Sequence, residues 1–153
     1  MLHRSNPWQS YRAVATTTAT PGQLVLLLYE GAIRFLEQAR TGFAKEDPLE
    51  HNQTINNGIQ RAQAILHEMD RALNMEQGGP FAANMRRLYD YMDRRLHESN
   101  LTKSEGGILD TIRRLTILRD AWAEMLQKGQ TTHETASLNR GLQAAPAALG
   151  VSP

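Results

Sequence analysis

The apolar residues Ile55, Ile59, Ala62, Leu66, Met69 and Leu73 follow one another at spacings of four, three, four, three and four. That rhythm puts all six on one stripe of an α-helix, whereas the faces of a strand alternate with period two. A stripe this long is stable only when other helices cover it, so the rest of the chain must supply them. It does. Phe81, Met85, Leu88, Met92 and Leu96 repeat the pattern with Tyr89 beside them, as do Ile108, Ile112, Leu115, Trp122 and Leu126. Upstream, Leu24, Leu28, Ala32, Phe35 and Ala39 share a face opposite Glu30, Arg34, Glu37 and Gln38. No useful length of the chain alternates with period two, so the fold class is all-α.

Boundaries are written between these stripes. In Thr20-Pro21-Gly22-Gln23 the threonine can cap an orphan N–H, the proline suits the first helical position and the glutamine can close a capping box, and helix one then runs to about Thr41. Gly42 and Pro48 end that helix and admit the second. Gly78, Gly79 and Pro80 separate the second from the third, "ESNLTKS" interrupts before the fourth, and Gly129 stands where a C-terminal glycine cap belongs. Short connections make successive helices antiparallel neighbours, which predicts an up-down-up-down four-helix bundle over 20–129. Residues 1–19 form an N-terminal arm in this reading. Residues 130–153 form a flexible tail, poor in bulky apolar residues, with room for a short helix from Ala136 to Gln143. A chain of 153 residues has the size of one domain and needs neither metal nor disulfide to hold a core.

Composition excludes several functions. Seventeen basic residues against 16 acidic ones leave a net charge of +1, too small a field to attract nucleic acid or an anionic membrane. Without cysteine there is no disulfide framework and no thiolate nucleophile. The first twenty residues lack the apolar core of a leader and no apolar run approaches the ~20 residues of a membrane span, so a cytoplasmic protein without membrane insertion is expected. Di-metal bundles need Glu-x-x-His pairs, which are missing, and His3, His51, His67, His97 and His133 show no ligand spacing, so neither metal nor cofactor is expected. His67 and His97 invite comparison with a phosphoaccepting histidine. Each has an adjacent acid, Glu68 or Glu98, but neither has a lysine or glycine nearby to receive a phosphoryl group, so the chain reads as no enzyme. Arg86, Asp90, Arg94 and Glu98 alternate in sign at i,i+4, the pattern of a solvated face. Arg119 falls inside the stripe of helix four, where a snorkelling side chain is preferred over a buried pair with an acid such as Asp70.

Helix one carries more apolar surface than one seam can cover. In "LVLLLYEG", Leu24–Gly31, six apolar residues run together, and the arc from Leu24 through Val25, Leu36, Tyr29 and Ile33 to Leu26 spans roughly 200° where an ordinary stripe needs little over 100°. The excess, Leu26, Tyr29 and Ile33, is expected to face away from the seam as a binding surface for another segment. Trp8, Tyr11 and Val14 in the polar arm are anchors that can fold back over it, so Tyr11 and Val14 join the candidate site. Leu109, Ile117 and Ile65 are also off-stripe, but scattered exposed apolar residues are ordinary.

"YRAVATTTATPGQLVLLLYEGAIRFLEQA" resembles the opening signature of the flagellar secretion chaperones of the FliS family. "GGPFAANMRRLYDYMDRRLHESN" resembles the family's second block and "LRDAW" its third, so the likeness spans about Tyr11 to Met125. Pro80-Phe81, Glu98-Ser99 and the Ala/Pro-rich tail depart from the pattern. The resemblance implies a cytoplasmic chaperone that binds the disordered C-terminal region of flagellin, prevents premature polymerisation and hands it to the flagellar type III export apparatus. A generic helical adaptor or self-associating homodimer with a non-flagellar partner is the alternative, followed by a histidine phosphotransfer domain.

Overall fold

The computed structural model describes the backbone of residues 19–148 and the side chains of residues 19–129. Four helices follow in order, α1 (Pro21–Thr41), α2 (Pro48–Arg71), α3 (Met75–Thr102) and α4 (Gly106–Ala148), with a 3-10 turn at Gly42–Ala44. No strand occurs among the described residues. After Arg119 the chain divides into two compact units, the first holding α1 to α3 and the start of α4, the second the remainder of α4.

Each start has a local cause. At α1 the capping box forms as expected, Gln23 N–H donating to Thr20 Oγ1 at 3.2 Å and Thr20 N–H to Gln23 Oε1 at 3.1 Å. Asp47 caps α2 through Glu50 N–H at 3.0 Å, and Asn74 caps α3 through Gln77 N–H at 3.0 Å. Helix α3 is longer than the sequence suggests at both ends. It begins at Met75, passes a break at Gly79 (φ 52, ψ −135) that only glycine adopts readily, and continues through "ESN" to a left-handed cap at Lys103 (φ 50, ψ 50).

Gly129 does not stop α4, which runs on to Ala148, so the expected tail is helical over most of its length. A glycine ends a helix by turning left-handed, and among the described glycines only Gly79 has positive φ. Elsewhere glycine costs a helix about 1 kcal/mol without breaking it.

The neighbouring helices run antiparallel. Along α1 and α2, Gly42 meets Ile55 while Gly58 meets Phe35 and Ala39. Between α2 and α3, Asn56 accepts from Asn100 at 2.9 Å, His67 meets Asp93 at 2.9 Å and Asp70 accepts from Arg86 at 3.2 Å. Between α3 and α4, Ser99 Oγ accepts from Gly107 N–H at 2.9 Å, and Arg95 and Tyr91 both reach Asp110. Two seams are tight to the backbone. A Cβ added at Gly58 would lie 2.6 Å from the Phe35 carbonyl oxygen, and one at Gly107 2.3 Å from that of Arg95.

The core is built from Leu28, Leu36, Ile55, Ile59, Leu66, Met92, Leu96, Ile108 and Leu115. The stripe of α2 is buried as its spacing predicts, apart from half-buried Leu73, and Ile65 joins it although the spacing puts it off-stripe. In α1 the buried line is Leu28, Tyr29, Ala32, Leu36 and Ala39. Phe35 is displaced to the edge, where the Arg61 guanidinium stands over its ring at 5.7 Å. In α3 the break at Gly79 leaves Phe81 exposed, and the buried line is Ala82, Tyr89, Met92, Leu96 and Ser99.

Candidate functional site

Of the apolar arc on α1, Tyr29 belongs to the interior and not to the surface. It is 4% exposed, and its hydroxyl lies 2.8 Å from that of Tyr89, also 4% exposed, on α3. A helical wheel shows a phenol only as apolar. It does not show that a second phenol, sixty residues away, satisfies the hydroxyl and lets the ring enter the core. Burial raises the ionisation of both tyrosines above the ordinary value, most for Tyr89, which the charges of Tyr29 and Asp70 push further.

Leu26 and Ile33 do lie off the core line and are half-buried. They precede Arg40 by fourteen and seven residues, and a heptad step returns to nearly the same side of a helix. Arg40 marks where that side points, because its Nε donates to Glu105 Oε1 at 2.9 Å at the start of α4. Ile112 and Arg119 follow Glu105 by the same two steps. With α1 and α4 antiparallel, Ile33 and Ile112 each stand one heptad in from the Arg40–Glu105 contact, and Leu26 and Arg119 two. Ile112 is half-buried too, so it belongs to the edge of the bundle and not to the centre its spacing suggests. The heptad sum that reveals this pairing needs the Arg40–Glu105 contact as its origin, and the sequence does not supply one. Asp70, the acid considered for Arg119, accepts from Arg86 at 3.2 Å. Tyr11 and Val14, with Trp8, lie outside the described residues.

This flank offers apolar area and no reacting group. Leu24, Val25 and Leu27 are half-buried beside it, and each leucine fully covered by a partner would contribute ~1.5 to 3 kcal/mol. Elsewhere, His67 Nε2 meets Asp93 Oδ1 on an open surface and His97 is exposed. No three His, Asp or Glu side chains gather as a metal site among the described residues, and no helix there is long and apolar enough to cross a membrane. Asp110 is a heavily bonded carboxylate. It accepts from the Tyr91 hydroxyl at 2.8 Å, Arg114 Nε at 3.1 Å and Arg95 Nε at 3.5 Å, and the Tyr91 bond leads in holding its ionisation below the ordinary range. Its partners are structural, tying α3 to α4.

The family model described as "Flagellar protein FliS" matches residues 4–129. The chain belongs to the FliS family. "Flagellar secretion chaperone FliS" of Bacillus subtilis (strain 168) is 33% identical over 122 residues, 80% of this chain and 87% of that one. The protein of the same description from Salmonella typhimurium is 31% identical over 114 residues, 74% of this chain and 82% of its own. "Flagellar secretion chaperone FliSB" of Pseudomonas aeruginosa is 34% identical over 105 residues, 68% and 79% of the two chains. The FliS match contains both the Leu26–Ile33 flank and the Tyr29–Tyr89 pair, so the site described above lies wholly within the family's part of the chain.

Proposed function

We propose that this FliS-family chain is a non-catalytic export chaperone of the cytoplasm. It binds the disordered C-terminal region of flagellin, keeps it from polymerising early and delivers it to the flagellar type III export apparatus. Family membership over residues 4–129 is the observation that carries the reading. The geometry supports it, because a client that becomes an amphipathic helix only on binding needs apolar surface left over after the bundle has closed. Leu26 and Ile33 on the α1 flank provide that surface in our reading, with Tyr11 and Val14 as further client contacts and Tyr29 holding the flank from beneath. Ordering the client costs several kcal/mol, so several anchors must act together.

Mixing the protein with a flagellin C-terminal peptide tests this. The far-UV circular dichroism of the mixture should exceed the sum of the parts, and Ile33→Asp or Leu26→Asp should weaken the complex while leaving the thermal melt of the free protein nearly unmoved. Leu28→Asp, in the core line, should unfold the bundle. Spectra that merely add would refute binding coupled to folding. A pull-down that recovers no flagellin peptide would favour the generic adaptor or homodimer.

A further inference from the structure

The α3–α4 face carries an unbalanced charge around an exposed aliphatic side chain. The contacts of Arg95 with Asp110, Tyr91 with Asp110 and Ser99 with Gly107 fix the antiparallel register of the two helices. Continued two turns further, that register sets Ile117 of α4 opposite Arg87 and Leu88 of α3. Ile117 is 63% exposed. Arg113 lies one turn before it on the same outward side of α4, with Leu109 a further turn back at 38% exposure.

The arginines of this face are not equivalent. Arg94 is paired with Asp90 at 3.3 Å, and Arg95 and Arg114 share Asp110. Arg87 and Arg113 are exposed and hold no carboxylate among the described residues. The two cations without a counter-charge are thus the two that flank the exposed isoleucine. Both are exposed, and so is the isoleucine between them.

We infer that Ile117, Arg87 and Arg113 form a docking surface for an acidic amphipathic helix of another protein, one that seats an aliphatic anchor against Ile117 and brings a carboxylate to each arginine. Charge complementarity selects this occupant. A phosphate backbone would meet the carboxylates Asp90, Glu98 and Asp110 interspersed on the same face, and an apolar side chain at its centre. A charged rim around an apolar anchor is the usual division of labour at such contacts, the charges steering approach and the aliphatic group excluding water. The surface is separate from the Leu26–Ile33 flank, because Ile117 stands five residues past Ile112, about 140° round the helix from the side that faces α1.

The test uses the full-length protein and a fluorescent synthetic helix of three heptads with leucine at the two apolar positions and glutamate beside them, against the same peptide with lysine for glutamate. Anisotropy should show the glutamate peptide binding at least tenfold tighter than the lysine peptide. The preference should shrink as salt is raised from about 0.05 to about 0.3 M, over which the screening length falls well below 10 Å. Arg87→Glu with Arg113→Glu should invert the preference, and Ile117→Asp should abolish binding with the melt unmoved. Binding should persist in protein already loaded with a flagellin C-terminal peptide. Equal binding of both peptides, or indifference to Ile117→Asp, would overturn the proposal. So would displacement of the glutamate peptide by single-stranded RNA, by the flagellin peptide, or by a dimer of the chain that Ile117→Asp dissociates.

Discussion

Removing one hydroxyl from the Tyr29–Tyr89 pair should cost more than removing both. The two oxygens are 2.8 Å apart in a core filled mainly by apolar side chains, and each residue is 4% exposed. Tyr29→Phe leaves the Tyr89 hydroxyl buried without its partner, and a stranded polar group of this kind costs ~1 to 3 kcal/mol. Tyr89→Phe strands Tyr29 by the same reasoning. The double variant keeps both rings and strands nothing, so its stability should return to within about 1 kcal/mol of the parent. At ~3 °C per kcal/mol for a chain of this size, each single variant should melt ~3 to 9 °C lower and the double variant almost at the parental temperature. Urea titrations of all four proteins give the coupling energy directly, expected at ~1 to 2 kcal/mol or more. Losses that simply add, with the double variant the least stable, would show that the hydroxyl bond does not carry the pair. The pH dependence has a definite sign. Both phenols ionise above their ordinary value in the folded state, so their contribution is complete below pH ~10 and is lost progressively as pH rises beyond it. The parent should therefore lose stability above pH ~10 more steeply than the double phenylalanine variant.

Gly58→Ala should destabilise by ~1 to 2 kcal/mol, because overpacking against the Phe35 carbonyl at 2.6 Å outweighs the ~1 kcal/mol gained in helix propensity; a melt above the parent's would refute the close approach. Asp110→Asn should lower the melt at neutral pH and flatten its acid side, since a carboxylate held below its ordinary range contributes stability above that range and loses it as pH falls through the folded value. An unchanged acid limb would mean that the Tyr91 and arginine bonds do not hold the charged form. Truncation after Gly129 should lower the far-UV helical signal in proportion to residues 130–148, and a signal that stays constant would place the true helix end at the glycine.

The helices were legible because their spacing is a local property. The α2 stripe needs no partner to be recognised, and the Thr20–Gln23 box is complete within four residues. Phase was harder. Leu24 and Phe35 are as apolar as Leu28 and Leu36, and nothing local says that the core line passes through the second pair. Tyr29 was misplaced for want of Tyr89, and Ile112 for want of the Arg40–Glu105 contact, both separated too far along the chain to be paired by pattern. Ser99 is a further case. It is polar, buried at 1% and silent in any apolar count, yet it accepts the Gly107 N–H where α3 and α4 touch. Its signal in the sequence is the small pair Gly106-Gly107 that follows it across the loop, which reads equally well as part of that loop.

The two glycine contacts divide the bundle by stiffness. At Gly58 and Gly107 backbone meets backbone, and a close-packed contact of that kind has no side chain to rotate out of the way, so α1 with α2 and α3 with α4 behave as two rigid hairpins. What joins one hairpin to the other at the α2–α3 edge is of another kind: Asn56 with Asn100, His67 with Asp93, Asp70 with Arg86, all long or flexible groups that can follow a small displacement without breaking. At the opposite edge the described link is the half-exposed pair of Arg40 and Glu105. Compliance is therefore concentrated at the edges between hairpins: a helix wedged along the α1–α4 edge meets first one solvent-screened ion pair, while the Tyr29–Tyr89 bond and the core that both hairpins share hold the two halves together at the centre.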